Sequence, residues 1–263
     1  MVLRPPHLTP RTLVGQRFPP NVFGDIQIAL IGYCPPPRQL EAYSAQRVAG
    51  QHFIHVSPDS VRIIEHGGRR LLSLAHVYGG PVSSATVEEL AYYGIEAILA
   101  YGLAGGLGSK GLGMGDFYLV EDAFAADGTT RHYTDVPVVA ADPGLRDAVL
   151  GAWQGTMTPV RAATGDAIYR EDDAMLDAFR RQGCDIVNLD SSHLYAASLN
   201  NSEGRRVRTI QCGVVSDVVS PDAALDAEST LSAMLSGAGT GFNPLERTGD
   251  IVAFYVEHLA CVL

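Results

Sequence analysis

Gly106-Leu107-Gly108-Ser109-Lys110-Gly111 reproduces the spacing G-x-G-x-x-G. In dinucleotide-binding proteins this spacing places a pyrophosphate on the N-terminus of a following helix. That chemistry needs a strand before the glycines and a helix after them. A buried strand does precede, at Ala97 to Tyr101, but Leu112-Gly113-Met114-Gly115-Asp116 and a further strand-like run follow. The stretch reads as a turn whose glycines let backbones approach closely, not as a cofactor cradle. No G-x-S-x-G elbow, H-E-x-x-H helix or paired Cys/His cluster occurs, which argues against an α/β-type serine hydrolase and against a bound metal. His52 and His55 lie three apart without a third ligand, so packing or surface roles are expected. Cys34, Cys184, Cys212 and Cys261 form no C-x-x-C pair, and the last three sit among apolar residues. Buried free thiols are expected, and a cytoplasmic compartment with them. Two carboxylates end apolar runs: Asp190 opens a helix, and Asp217 closes a strand. By position alone, each reads as a cap for the segment that follows.

The elements that must place these residues alternate between strand and helix patterns. Ile26 to Ile31 reads as a buried strand ending at Gly32. Val61 to Glu65 and Leu71 to Val77 flank His66-Gly67-Gly68 as a hairpin. Ser84 to Tyr93 reads as a helix stopped by Gly94, and Phe117 to Phe124 as a strand. Pro143 to Trp153 is helical with Asp142 as N-cap, and Val160 to Tyr169 is extended. Glu171 to Arg181 is helical and stops at Gly183. Asp185 to Leu189 is a strand, Ser191 to Leu199 a helix, Val207 to Val215 a strand and Leu245 to Leu259 a helix. This alternation predicts an α/β fold with a mixed, mostly parallel central sheet flanked by helices. No composition boundary divides residues 1–263, so one domain is expected, with 1–25 as an N-terminal extension. Ligands in such folds bind beyond the carboxyl ends of strands. That singles out Gly32 to Arg38, Gly102 to Gly108, Thr164 to Arg170, Asp190 and Asp217.

The chain has 263 residues, a formal charge of −10, 46% hydrophobic residues and 18% charged ones. The apolar share fills a core and excludes disorder. The acidic balance argues against nucleic acid as a partner. No apolar stretch reaches the roughly 20 residues of a membrane span, and no signal pattern is visible. Lys110 is the only lysine, so arginine supplies every other side-chain cation.

An ordered series of short motifs carries a resemblance. It runs through Gly80-Pro81-Val82-Ser83-Ser84, Val87-Glu88-Glu89-Leu90 and Tyr101-Gly102-Leu103-Ala104-Gly105-Gly106-Leu107. It continues through Gly113-Met114-Gly115-Asp116, Asp127-Gly128-Thr129-Thr130-Arg131-His132-Tyr133, Asn188-Leu189-Asp190 and Val214-Val215-Ser216-Asp217. From about Ile28 onward the chain resembles the nucleoside phosphorylase superfamily, in its uridine phosphorylase and hexameric purine nucleoside phosphorylase branch. The resemblance implies cleavage of the N-glycosidic bond of a small-molecule nucleoside, by phosphate in phosphorylases and by water in nucleosidases. It implies no cofactor beyond inorganic phosphate as a possible co-substrate, and a homo-oligomer, either dimer or hexamer.

Under this resemblance, Asp217 with Ser216 matches the step where purine-cleaving members keep a carboxyl facing the base, and Asp217 is the expected catalytic residue: held protonated by burial among apolar neighbours, it would donate to N7 of the leaving base. Asp190 with Leu189 matches the Met-Glu step that grips the ribose hydroxyls, and two acceptor oxygens suit a vicinal diol. Ile168 and Tyr169 fall where an aromatic stacks on the base, and Gly105 joins the substrate-binding set. His7 matches an N-terminal histidine that reaches a neighbouring subunit's ribose. His193, one turn on from Asp190, is expected to pack rather than react.

Phosphate-using relatives place an arginine and a Ser or Thr where this chain has Ala100 and Leu103. Their phosphate loop reads Gly-Asp-Pro-x-Arg. Here it is Gly32-Tyr33-Cys34-Pro35-Pro36-Pro37-Arg38. A phosphorylase would rebuild the site from Gly32, Arg38 and Arg47 of a neighbouring subunit, since a dianion needs paired cations and donors. A nucleosidase would need a general base, with Glu41 and Glu89 to be considered. A non-catalytic nucleoside-binding homologue is the third reading. The residues alone leave all three open.

Overall fold

The computed structural model of the chain describes residues 6–219 and 243–263. Its strands are β1 (Ile28–Gly32), β2 (Ser44–Arg47), β3 (Val61–His66), β4 (Arg69–Leu74) and β5 (Ala97–Gly106). They continue with β6 (Phe117–Ala125), β7 (Val138–Ala140), β8 (Thr158–Thr164), β9 (Ile186–Asn188) and β10 (Arg208–Val218). The helices are α1 (Pro10–Leu13), α2 (Gly80–Tyr92), α3 (Pro143–Ala152), α4 (Asp173–Arg181), α5 (Ser191–Leu199) and α6 (Pro244–Phe254). One sheet joins the strands in the order β10-β6-β8-β9-β5-β1-β4-β3-β2, and β10 also pairs with β5. The strands β5, β10, β6, β8 and β9 therefore close on themselves, and β1 to β4 extend the sheet from β5. Parallel pairs β4–β1, β1–β5 and β5–β10 form its centre. The hairpin β3–β4 and the joins β10–β6 and β5–β9 are antiparallel. The fold is α/β, with helices against a mixed sheet, as expected, but the strand pairings divide equally between parallel and antiparallel rather than being mostly parallel. No helix of the described residues is long and apolar enough to cross a membrane.

Several boundaries differ from the sequence reading, each for a local reason. The helix expected to begin at Ser84 begins at Gly80, after Gly79 takes a φ of 77° that admits the chain into it. The helix expected from Glu171 begins at Asp173, because the Asp172 side chain accepts the Met175 backbone N–H at 2.8 Å and caps it there. Glu171 is thereby left in a loop. The extended run Val160 to Tyr169 ends as a strand at Thr164 and turns into a 3₁₀ segment at Ile168–Arg170. The thiols of Cys34, Cys184 and Cys212 are buried, but Cys261 is exposed near the chain end. His52 and His55 separate as expected of packing and surface residues: the His52 ring stacks on Phe18 at 3.9 Å, and His55 is exposed.

The largest correction concerns β5. The sequence reading stops it at Tyr101 and assigns Gly102 to Gly108 to a loop, yet the strand continues through Gly106. A ladder with β10 holds it, with Gly102 opposite Gly213, Leu103 opposite Val214 and Val218 opposite Gly106. Pairing on both edges outweighs the poor strand preference of glycine. The two register-paired glycines have a steric purpose. A Cβ on Gly213 would run into the Tyr118 ring and lie 2.6 Å from the Gly102 carbonyl oxygen. A Cβ on Gly102 would lie 3.2 Å from Tyr33 Cβ and 3.5 Å from Asp190 Oδ2. Together they leave a trough across the sheet, bounded by Tyr33 and Tyr118.

Gly213→Ala is expected to lower stability by about 1–3 kcal/mol through overpacking, seen as a reduced Tm. Gly151→Ala, on an exposed turn of α3 with nothing near its Cβ position, is expected to raise stability by about 0.5–1 kcal/mol. Equal effects from the two substitutions would contradict the trough.

Candidate functional site

The trough opens into a cavity of about 590 Å³, within the roughly 300–1,000 Å³ range of small-molecule sites. The ends of β1, β5, β9 and β10 and the loop before α4 line it. Strand ends gather backbone and side chains there because β1, β5 and β10 run parallel and end on one side, and β9 meets β5 antiparallel at Gly105 and Gly106. Leu189, Asp190, Gly105, Ile168, Tyr169, Ser216 and Asp217 all lie on its surface. The nucleoside-facing residues expected from sequence are thus brought together. Ile168 and Tyr169 form the rim, 46% and 95% exposed, rather than a buried stacking platform.

Asp190 occupies the position before α5, but its side chain makes no capping hydrogen bond. Asn188 does that work. Its Oδ1 accepts the backbone N–H groups of Asp190 at 3.3 Å and Ser191 at 3.4 Å, and its Nδ2 donates to Ser191 Oγ at 2.7 Å. The capping reading of Asp190 is therefore replaced. Its carboxyl is freed to face the cavity, and burial pushes its pKa well above the usual carboxylate range. Gln211 Nε2 lies at the same trough, 3.7 Å from the Gly102 Cβ position, and favours the charged form. It does so without the geometry of a hydrogen bond, since that nitrogen has no partner among the described residues.

A polar chain fixes α5 behind Asp190. Ser191 Oγ donates to Gln211 Oε1 at 2.8 Å, and Ser192 Oγ donates to Asp127 Oδ2 at 2.5 Å. Asp127 also accepts from Thr129 N at 2.8 Å and from Thr130 N and Oγ1 at 2.7 Å each. Burial would raise the pKa of Asp127, but the hydrogen bonds from Ser192 and Thr130 outweigh it and hold the carboxyl below its ordinary value. His193 is fully buried, and burial lowers its pKa, which disfavours the charged ring. Its Nε2 lies 2.8 Å from the Leu189 carbonyl. It packs and steadies the Leu189-Asp190 step, as expected.

Asp217 ends β10 after a register shift between Val215 and Asp217. Ser216 Oγ donates to its Oδ1 at 2.7 Å, and its Oδ2 lies 3.5 Å from the Gly105 Cβ position. The absent side chain at Gly105 keeps that oxygen accessible. Glu171, which the sequence reading placed inside a helix, is a further carboxyl on the cavity wall. Burial first, and then the Asp217 charge, raise its pKa to about 7. The signal that would have revealed it is the run Glu171-Asp172-Asp173, in which the two aspartates, and not the glutamate, are cap-type residues.

The residues expected to hold phosphate are not gathered at the cavity. Arg38 is largely exposed and lies 3.9 Å from Glu246, and Arg47 on edge strand β2 pairs with Asp59 at 3.2 Å. Local carboxylates hold both outward. Gly32 serves packing: a Cβ there would come within 2.5 Å of the Tyr101 hydroxyl. Ala100 is fully buried, with its carbonyl accepting from the Tyr255 hydroxyl at 3.1 Å, and Leu103 presents an apolar side chain to the cavity. Cys34 lines the same wall as a protonated thiol, pushed up to about 12 by burial. Among the described residues the cavity wall carries Glu171, Asp190 and Asp217 and no Lys, Arg or His. Residues 220–242 contain none of those three residue types either. Neither Glu89 nor Glu41 reaches the cavity. Glu89 is buried on α2, accepting the Ile54 N–H at 3.0 Å, and Glu41 faces a separate recess.

Comparison with known proteins places this geometry. A family model described as the phosphorylase superfamily matches residues 27–238. An uncharacterized protein of Acanthamoeba polyphaga mimivirus is 30% identical over 220 residues, covering 83% of this chain and 85% of that one. Among solved structures, the 5'-methylthioadenosine/S-adenosyl homocysteine nucleosidase of Campylobacter jejuni superposes with a TM-score of 0.63 at 14% identity. That match covers 86% of this chain and 96% of the other. The uridine phosphorylase of Vibrio fischeri superposes with a TM-score of 0.65 at 16% identity, covering 94% and 93%. At these identities the two structures show a shared fold.

Asn188→Ala is expected to destabilise the chain by about 0.5–2 kcal/mol, the usual loss for a helix cap. Asp190→Ala is expected to leave Tm unchanged or raised, because a buried carboxyl with no capping bond is removed. Equal Tm losses in the two variants would restore Asp190 to the cap.

Proposed function

This chain belongs to the phosphorylase superfamily, and from that membership we propose that it cleaves the N-glycosidic bond of a purine-type nucleoside with water as the attacking group. The observation that carries the choice of water is the cavity wall, with three carboxyls and no cation among the described residues. A phosphate dianion in such a place would find no paired cation among the described residues, and the desolvation cost would go unanswered. Water carries no such penalty. The Arg38 and Arg47 ion pairs and the apolar Leu103 support the same reading.

Asp190 faces the sugar. Its two oxygens match two neighbouring hydroxyls, in a water-poor site. Asp217 faces the base, its orientation set by Ser216. A purine is favoured because the carboxyl stands at the Ser-Asp step and no Gln/Arg pair lines the cavity among the described residues to read a pyrimidine. The exposed Ile168 and Tyr169 rim offers an apolar approach to the base. The fold accommodates this reaction class, since similar folds are described both as a nucleosidase and as a phosphorylase.

The test is free-base release from inosine, adenosine, guanosine, methylthioadenosine and uridine, with and without inorganic phosphate. Release from at least one purine nucleoside at the same rate in both conditions is expected. Asp217→Asn is expected to slow it by about 10²-fold or more. Release only in the presence of phosphate would overturn water as the nucleophile, and binding without any release would favour a non-catalytic homologue.

A further inference from the structure

Gln211 carries a buried donor that the fold leaves without a partner. Its backbone lies on β10, opposite Ala100 of β5 on one side and Val120 of β6 on the other. The residue is fully buried, and its Nε2 meets no acceptor in hydrogen-bond geometry among the described residues. Unpaired donors are rare in folded cores, and one beside a site calls for an explanation.

A one-way relay of hydrogen bonds decides which end of the Gln211 amide faces Asp190. Asn188 Oδ1 accepts the backbone N–H groups of Asp190 at 3.3 Å and Ser191 at 3.4 Å. Its nitrogen must then point the other way, and it donates to Ser191 Oγ at 2.7 Å. The Ser191 hydroxyl has one proton, which goes to Gln211 Oε1 at 2.8 Å. The amide is thereby set with its oxygen toward Ser191 and its nitrogen toward the glycine trough. There Nε2 lies 3.7 Å and Asp190 Oδ2 3.5 Å from the Gly102 Cβ position. Donor and carboxyl oxygen flank the same missing side chain, and any residue larger than glycine at 102 would press on both.

Other donors nearby are spent or stand elsewhere. The Tyr33 hydroxyl is engaged with Ser83 Oγ at 2.6 Å, and the Asn188 amide serves the relay. The Tyr118 hydroxyl also lacks a partner among the described residues, but it stands at the Gly213 position rather than the Gly102 position.

We propose that Gln211 is a positioning residue for Asp190: its Nε2 donates to the trough-side oxygen of the carboxyl and so fixes the plane in which Asp190 meets the sugar hydroxyls. The proposal rests on the cleavage reading above and deepens its sugar contact. A vicinal diol donates two protons in set directions, so the carboxyl that receives them must not rotate. A donor held on one oxygen sets the carboxyl plane and leaves the remaining lone pairs to the diol. Gln211 stands behind the cavity lining, so it acts through Asp190 and not on the substrate itself.

Calorimetric titration with inosine, adenosine and their 2′,3′-dideoxy counterparts tests this, in an Asp217→Asn background that slows turnover. The reading is the preference for ribonucleoside over dideoxynucleoside, because a merely structural role would move both ligands together. Gln211→Met keeps the length and fills the core without an amide. It is expected to lower the preference by about threefold or more, with dideoxynucleoside affinity unchanged. Ser191→Ala, which frees the amide to turn, is expected to lower it in the same direction by less, and decides the matter if Gln211→Met does not fold. In Asp190→Ala, adding Gln211→Met is expected to cause no further loss. A preference unmoved in these variants, a parallel loss for both ligands, a further loss in Asp190→Ala, or a loss in Tyr118→Phe but not in Gln211→Met overturns the positioning role alone. A parent chain with no preference overturns the sugar grip and the positioning role together, while base release decides the cleavage reading separately.

Discussion

The site depends on a steric constraint in the sheet: Gly102 and Gly213 stand in register on adjacent parallel strands. A side chain on Gly213 would collide with the Tyr118 ring and with the facing backbone. A side chain on Gly102 would crowd Tyr33 and the Asp190 carboxyl. With both missing, the N-terminus of α5 settles over the sheet, and a charged-type side chain reaches a place that the core would otherwise fill. Strand β5 is long because this close approach lets it pair with β10 through five residues that read as loop. The continued strand in turn carries Gly105 to the point where Asp217 needs room.

Electrostatics follows from that geometry. Carboxyls placed in a recess with largely apolar walls and no cation among the described residues lose solvation. Each resolves the conflict differently. Asp190 is pushed well up in pKa, Asp217 takes a hydroxyl donor from Ser216, and Glu171 is raised to about 7. Asp127 shows the contrast. It is also substantially buried, yet hydrogen bonds from Ser192 and Thr130 hold it charged, and it serves as an anchor for α5. The number of donors, rather than burial alone, separates the structural carboxylate from those open to chemistry.

Much of this was legible in the sequence, for physical reasons that differ by residue. Helix α5 has the bounds read from its pattern, because the strand before it and the Ser pair at its start are unambiguous. Asp190 and Asp217 are visible as carboxyls that end apolar runs, and the family resemblance, not their position, points to a site role for them. Glu171 was hidden by a helical pattern that begins one residue before its true cap, Asp172. The role of Asn188 was hidden because Asn188, Asp190 and Ser191 are all cap-type residues, and only the backbone shows which side chain folds back. Arg38 and Arg47 stand in surface ion pairs with Glu246 and Asp59, partners far along the chain or on the segment before β3 that no local pattern signals. The strand character of Gly102 to Gly106 could not be read from a run of glycines, since pairing partners on β10 decide it.

The central claim is that the Asp190 carboxyl, freed from capping by Asn188 and admitted by the glycine trough, grips the sugar of a nucleoside. Calorimetric binding of a ribonucleoside against its 2′,3′-dideoxy counterpart tests this most directly, in the wild-type chain and in Asp190→Ala. The account predicts that the ribonucleoside binds the wild-type chain at least about tenfold more tightly, equivalent to about 1.4 kcal/mol, and that Asp190→Ala removes the difference. Equal affinities in the wild-type chain, or a preference that survives in Asp190→Ala, would contradict it.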